Sequence, residues 1–149
     1  MNDALRDLYR EVILDHSRRP RNYGAMDAAN RQSDGFNPLC GDRLRLFLLV
    51  EDGAVRQASF VGDGCAISTA SASLLTEAAR GLPEEEALEL VENFRGMVAG
   101  ESEPDGESLG KLTVFAGVRD YPTRVKCATL AWHTLRAAIE QSGETVKTE

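Results

Sequence analysis

The sequence lacks any run of apolar residues long enough to cross a membrane. Its 149 residues are 42% hydrophobic and 28% charged. No segment approaches the ~18 consecutive apolar residues that a membrane helix needs. The N-terminus is polar and charged, without the apolar stretch and small-residue cleavage site of a signal peptide. We therefore expect a cytoplasmic protein with no membrane partner.

Positive charge is also in short supply. With 17 basic and 24 acidic residues, the formal net charge is −7. Binding to nucleic acid depends on a positive field, and so does attraction to an anionic membrane surface. The charge balance therefore argues against nucleic acid as a partner, but it says nothing about protein partners.

Repeats, low-complexity segments and interdomain linkers are missing from the chain. The length suits one domain, and it is sufficient to bury a core without disulfide staples. We predict a single domain over residues 1–143 and a polar C-terminal tail over residues 144–149.

Cysteine is sparse, with three residues in the whole chain. An odd number in a chain without a secretion signal argues against a disulfide framework. Free thiols of this kind are either small buried hydrophobes or groups that do metal or sulfur chemistry. The surroundings of each cysteine have to decide between the two.

A β-hairpin is the best-determined element of the sequence. Apolar residues alternate with others over residues 43–50, which predicts a strand with one apolar face. Asp52-Gly53 is a strong hairpin turn, and residues 55–61 form the return strand. Residues 22–38 are rich in Gly, Asn and Asp and predict a loop, within which an edge strand at 31–35 is an alternative.

Helical periodicity and helix-end signals predict four helices. The first runs from a cap at Asn2 or Asp3 to Pro20 and has an apolar stripe. The stripe consists of Leu5, Leu8, Tyr9, Val12 and Ile13. The other three helices span about residues 65–80, 83–100 and 122–141, and Gly81, Gly100 and Gly143 mark their ends. We interpret His16 as a packed or surface residue, and the acidic residues 101–107 as a solvated loop.

The hairpin gathers three residues that could bind a metal. Cys40 and Asp42 come just before its first strand, and Cys65 comes just after its second strand. Because the strands are antiparallel, these residues should lie at one end of the sheet. Cys65 is also predicted at a helix N-terminus, where the helix dipole favours the thiolate.

Cys127 is the third thiol, near the start of the last helix and beside Lys126. Three thiolates with the Asp42 carboxylate make a tetrahedral set that suits zinc, although iron–sulfur species also bind thiolates. Three scattered buried cysteines and a turn aspartate remain the alternative. A catalytic Cys–His pair is less consistent with the pattern, because His133 lies six residues after Cys127 and off its helix face.

Three peptides resemble the signatures of the IscU/NifU-N family of iron–sulfur cluster assembly proteins, in the same order. They are NPLCGD (37–42), GDGCAISTAS (62–71) and RVKCATLAW (124–132). The segments 8–16 and 20–24 resemble the family as well, so the resemblance covers about residues 3–140. It implies an α+β fold, with a small, mainly antiparallel three-stranded sheet and helices packed on it.

Two features resemble the SufU branch of this family rather than the IscU branch. Lys126 stands where IscU proteins have a histidine before the third cysteine. The segment between Cys65 and Cys127 is also longer, and the extra length includes part of residues 83–106. The sequence leaves the role of that insertion open.

The SufU resemblance implies a zinc-dependent sulfurtransferase. Zinc would be bound by Cys40, Asp42, Cys65 and Cys127, and Cys40 would accept sulfur as a persulfide. The expected partners are a pyridoxal-phosphate cysteine desulfurase of the SufS type and downstream iron–sulfur assembly proteins. Two alternatives remain. One is a scaffold on which the same ligands assemble a [2Fe–2S] cluster, and the other is a structural zinc domain.

Overall fold

The computed structural model describes residues 3–141, 143 and 145–148, with side chains from residue 7 onward. The elements follow one another in an α+β arrangement, as expected. They are α1 (Asp3–Arg18), β1 (Arg31–Asn37), β2 (Asp42–Glu51), β3 (Ala54–Asp63), α2 (Ala66–Ala79), α3 (Glu84–Val98), α4 (Gly106–Leu109), a 3₁₀ helix (Gly110–Asp120), α5 (Pro122–Glu140) and β4 (Val146–Lys147).

The sheet has four strands in the order β3-β2-β1-β4. The predicted hairpin is confirmed: β2 and β3 pair antiparallel, and Asp52 and Gly53 have φ values of 53° and 73°, as a tight turn with two left-handed residues requires. β1 pairs antiparallel with β2 over all of Arg31–Asn37, so the strand alternative is correct for this part of the predicted loop, but β1 lies inside the sheet, between β2 and β4, and not at its edge.

The fourth strand is an addition to the three expected from the sequence. β4 pairs in parallel with Gly35 and Phe36 of β1, within a segment predicted as a polar tail. Two residues are too few to show any alternation of apolar and polar side chains, so only the backbone pairing reveals the strand. Residues 144 and 149 of the predicted tail lie outside the described residues, as does residue 142 before it.

The four predicted helices are present within a residue or two of their expected ends. Leu8 of the predicted α1 stripe is exposed, whereas Tyr9, Val12 and Ile13 pack against the core. The Leu5 side chain lies outside the described residues. None of the helices in the described part of the chain has the length and apolarity of a membrane span.

The inserted segment between Cys65 and Cys127 contributes to the core. Its helix α3 packs against α5, where the ring of Phe94 stacks on Trp132 with 4.5 Å between centroids. Phe94 also makes an edge contact with Phe115 of the 3₁₀ helix, at 5.7 Å. All three rings are fully buried. The insertion therefore contributes buried side chains to the core of the domain. The sequence alone left the role of this segment open.

Candidate metal centre

Four chain segments meet at one end of the sheet. The turn between β1 and β2 carries Cys40, and Asp42 is the first residue of β2. Arg43 pairs with Asp63, the last residue of β3, so the chain leading to Cys65 passes beside Asp42. The hairpin therefore brings these three residues together as its topology predicts.

Cys127 reaches the same place because α5 packs across β1. Gly35 of β1 permits this close approach, since a Cβ at this position would collide with the Thr134 side chain and crowd Leu130. Cys127 lies near the start of α5, and its Sγ is 3.3 Å from the Sγ of Cys40. All three cysteines are free thiols.

One group of possible metal ligands within the described residues consists of Cys40, Asp42 and Cys127. One ligand atom from each lies within 4.8 Å of the other two. Cys65 is outside this set but borders it, with its Sγ 3.8 Å from Oδ2 of Asp42. The described residues thus place three of the four predicted ligands in mutual range, and the fourth in contact with one of them.

Asp42 is a buried carboxylate, with 1% of its surface exposed. Its Oδ1 accepts a hydrogen bond of 2.8 Å from the backbone N–H of Cys65, which ties the start of β2 to the start of α2. No lysine, arginine or histidine of the described chain forms an ion pair with it. Buried charges in proteins are normally paired or bound to a metal, so this carboxylate fits a cation.

Cys65 occupies the N-cap position of α2, as predicted. Its Sγ accepts from the backbone N–H of Ser68 at 3.4 Å, and the side chain is exposed. The preceding Gly64 is tightly placed, because a Cβ there would be 3.1 Å from the Ser68 hydroxyl and 3.2 Å from Asp42 Oδ1. The helix N-terminus favours a negative sulfur at this position.

Cys40 and Cys127 have opposite surroundings. Cys40 is exposed on the turn, beside Gly41 with φ 73°. Cys127 is only 3% exposed, and burial raises the pKa of its thiol far above the ordinary value, with the neighbouring Cys40 thiol adding to the rise. Desolvation disfavours the thiolate, so a cation beside the sulfur is needed to stabilise it.

The two histidines stand apart from this cluster, as the sequence indicated. His16 is buried and its Nδ1 lies 2.7 Å from the Ser73 hydroxyl, while burial lowers the pKa of its imidazole. His133 is half-buried, and burial lowers its pKa too. Within the described residues, neither histidine belongs to the group of possible metal ligands.

Sequence reasoning missed one residue of the site, Asn37. It is fully buried, and its amide nitrogen lies 3.6 Å from the Sγ of Cys127. An Asn next to Pro38 is typical of turns, so the sequence showed only its turn chemistry. The contact with a cysteine ninety positions away depends on tertiary packing.

Residues 8–128 match the family described as NifU-like N terminal domain. The iron-sulfur cluster assembly scaffold protein IscU of Streptococcus pyogenes serotype M1 is 41% identical over 138 residues, which cover 93% of this chain and 86% of the relative. The zinc-dependent sulfurtransferase SufU of Bacillus subtilis strain 168 is 41% identical over 138 residues, covering 93% of each chain. A solved structure from Fervidobacterium islandicum AW-1, described as an iron-sulfur cluster assembly scaffold protein for the SUF system, superposes with a TM-score of 0.82 at 37% identity, covering 87% of this chain and 94% of that one.

Proposed function

Because the chain belongs to the family of NifU-like N-terminal domains, we propose that it serves iron–sulfur cluster assembly as a zinc-dependent sulfur acceptor for a cysteine desulfurase. The relatives named as assembly scaffolds and as a zinc-dependent sulfurtransferase support this proposal. The observation that carries it is the mixed character of the site: an exposed thiol on a turn lies against a buried thiol and a buried carboxylate.

The residues that would hold zinc are Cys40, Asp42, Cys65 and Cys127. Three sulfur donors and one oxygen donor suit a tetrahedral zinc site. The buried carboxylate of Asp42, which forms no ion pair with the described residues, is consistent with a cation there. When bound, zinc would keep the thiolates deprotonated without oxidising them, because it has no redox chemistry.

Cys40 is the residue that we propose accepts sulfur. Its thiolate attacks the outer sulfur of a persulfide on the desulfurase, and the bond between the two sulfurs of that persulfide breaks. The desulfurase cysteine leaves as a thiolate, and Cys40 becomes the new persulfide. One sulfur–sulfur bond forms and one breaks, so the exchange needs no oxidant or reductant.

Access distinguishes Cys40 from the other two cysteines. Cys127 is buried in α5, where a partner persulfide cannot approach it. Cys65 is exposed, but its Sγ caps α2 through the Ser68 N–H. Cys40 has no helix to hold it, so its movement disturbs the least packing.

The test is sulfide release from cysteine by a SufS-type enzyme in the presence of this protein. The wild type should stimulate the enzyme at catalytic amounts, whereas Cys40→Ala and the isosteric Cys40→Ser should not, although both remain folded and retain measurable zinc. Mass spectrometry after one turnover should find the added sulfur on the peptide that contains Cys40. Sulfur found mainly on Cys65 or Cys127, or full stimulation by Cys40→Ala, would contradict the proposal.

The second candidate is a scaffold on which a [2Fe–2S] cluster is assembled by the same ligands. The names of the IscU relatives favour it. Lys126 favours sulfur transfer, because it replaces a histidine that could otherwise bind a cluster. Anaerobic reconstitution with iron and sulfide separates the two, as does elemental analysis of the protein as purified. We expect about one zinc per chain, and stoichiometric iron with little zinc would favour the scaffold.

A purely structural zinc domain is the third candidate, and an absence of desulfurase stimulation by the wild type would support it.

We further propose that the protein acts in the cytoplasm, where a reducing environment keeps the three cysteines as thiols. Pyridoxal phosphate would belong to the desulfurase, and the sulfur would pass on to downstream iron–sulfur assembly proteins.

A further inference from the structure

Asn37 lies between the turn that carries Cys40 and the helix that carries Cys127. It is the last residue of β1, pairs with Asp42 in the register, and has no exposed surface. Its backbone carbonyl accepts from the Gly41 N–H at 2.8 Å, which closes the turn that carries Cys40. Because the backbone carbonyl makes this hydrogen bond, the side-chain amide can contact the Cys40 turn on one side and α5 on the other.

The hydrogen bonds determine which way the side-chain amide points. The backbone N–H of Leu39 lies 3.2 Å from Oδ1 of Asn37. A backbone N–H can only donate, so the amide oxygen must face Leu39 and the amino group must face the Sγ of Cys127, 3.6 Å away. One buried side chain thus contacts both the Cys40 turn and the helix that holds Cys127.

We propose that Asn37 is a positioning residue for the metal centre: its amide oxygen shapes the Cys40 turn while its amino group holds the Cys127 sulfur toward the cluster. This inference rests on the proposed zinc site. Three thiolates and a carboxylate carry more negative charge than one zinc ion neutralises. An N–H donor to a buried sulfur relieves part of that excess, and such outer partners tune metal affinity in other sites.

Asn37→Ser separates the two contacts of the side chain. A serine hydroxyl can accept from the Leu39 N–H in the same kind of turn, but it is too short to reach Cys127. Asn30→Ser is the control for the loss of an asparagine that bonds through both ends of its amide, at a more exposed position. Asn30 also uses both ends of its amide, donating to Val50 O at 2.7 Å and accepting from Val50 N–H at 2.8 Å, away from the metal centre.

The first measurement is zinc affinity by chelator competition, together with urea unfolding of the zinc-free proteins. Asn37→Ser should bind zinc about 10- to 100-fold more weakly than the wild type. Asn30→Ser should match the wild type in zinc affinity even where its zinc-free stability falls. An unchanged affinity in Asn37→Ser, or a loss that Asn30→Ser reproduces, would overturn the inference.

The second measurement is the absorption spectrum after substitution with cobalt(II), which reports the thiolate ligands directly. The thiolate-to-cobalt bands should shift in Asn37→Ser and remain in place in Asn30→Ser. Should Asn37→Ser fail to fold, Asn37→Asp retains the volume and the acceptor for Leu39 but faces Cys127 with a carboxylate oxygen. Its zinc affinity should fall, and an affinity equal to or above that of the wild type would contradict the proposed role.

These outcomes separate the inference from the proposed function. A wild type that binds zinc but does not stimulate a desulfurase would end the sulfur-transfer proposal and leave the role of Asn37 testable by affinity. A wild type that binds zinc and stimulates, with no effect of Asn37→Ser on affinity or spectrum, would end only the inference about Asn37.

Discussion

The turn that carries Cys40 and the helix that carries Cys127 build one site in opposite ways. Cys40 is exposed between Pro38 and Gly41. Its turn has one backbone hydrogen bond, from the Gly41 N–H to the Asn37 carbonyl, and the Leu39 N–H donates to the Asn37 side chain. Cys127 is buried in α5, which packs against β1, α2 and α3. The comparison indicates a site with one thiol held in a packed helix and one exposed thiol on a turn, which is the arrangement that the proposed sulfur transfer by Cys40 would use.

Removal of the fixed thiol should have the largest effect. In Cys127→Ala, the zinc coordination position left by the sulfur is buried, so water cannot readily fill it. In Cys40→Ala, the corresponding position is exposed, so water can complete the coordination. Zinc at a thousandfold excess over its Kd stabilises a protein by about 4 kcal/mol. Cys127→Ala should lose most of this stabilisation, whereas Cys40→Ala should retain a substantial part.

The measurement is thermal unfolding of each variant with zinc and with chelator. With chelator, Cys40→Ala and the wild type should unfold at similar temperatures, because the exposed thiol contributes little to packing. An equal loss of zinc stabilisation in Cys40→Ala and Cys127→Ala would contradict the proposed difference between the exposed and the buried cysteine.

Gly35 tests what positions α5, the helix that carries Cys127, against β1. A methyl group at Gly35 would collide with the Thr134 hydroxyl and crowd Leu130, so Gly35→Ala forces a shift at this contact, which we expect to move α5 away from β1. Overpacking of this kind costs about 1–3 kcal/mol. We expect that loss in zinc-free protein by urea unfolding, together with weaker zinc binding, because Cys127 moves with α5.

The double variant Gly35→Ala/Thr134→Ala is the control, since it removes the hydroxyl that the new methyl group meets. It should be less destabilised than the sum of the two single variants, as coupled neighbours are. Strict additivity would show that the contact between Gly35 and Thr134 does not determine where α5 packs.

Asp42 tests the contact between the start of β2 and the start of α2, with an expected loss of stability no larger than that of Gly35→Ala. Asp42→Asn retains an oxygen acceptor for the Cys65 N–H but loses the charge, and Asp42→Ala loses both. Both variants should bind zinc more weakly. In zinc-free protein, only Asp42→Ala should lose about 1–3 kcal/mol by urea unfolding, since it leaves the Cys65 N–H without its buried partner.

Chelator competition provides the second readout for this pair. Zinc affinity equal to that of the wild type in both Asp42 variants would make Asp42 a turn residue only. Equal zinc-free stability of the two variants would show that the hydrogen bond to Cys65 contributes little to the fold.

The sequence by itself determined the hairpin, the four longer helices and the meeting of Cys40, Asp42 and Cys65. Asp52-Gly53 selects a tight turn, and antiparallel pairing then places the outer ends of β2 and β3 side by side. These features follow from neighbouring residues and from one pairing rule, so they can be recognised without knowledge of the rest of the chain.

Only the tertiary structure decided how Cys127, Asn37 and the inserted segment join the site and the core. Cys127 and Cys40 are 87 positions apart, and their contact depends on how closely α5 approaches β1 at Gly35. The stacking of Phe94 on Trp132 and the pairing of β4 depend in the same way on packing between distant elements. Local periodicity records which face of an element is apolar, but the partner of that face is determined by the packing of the whole domain.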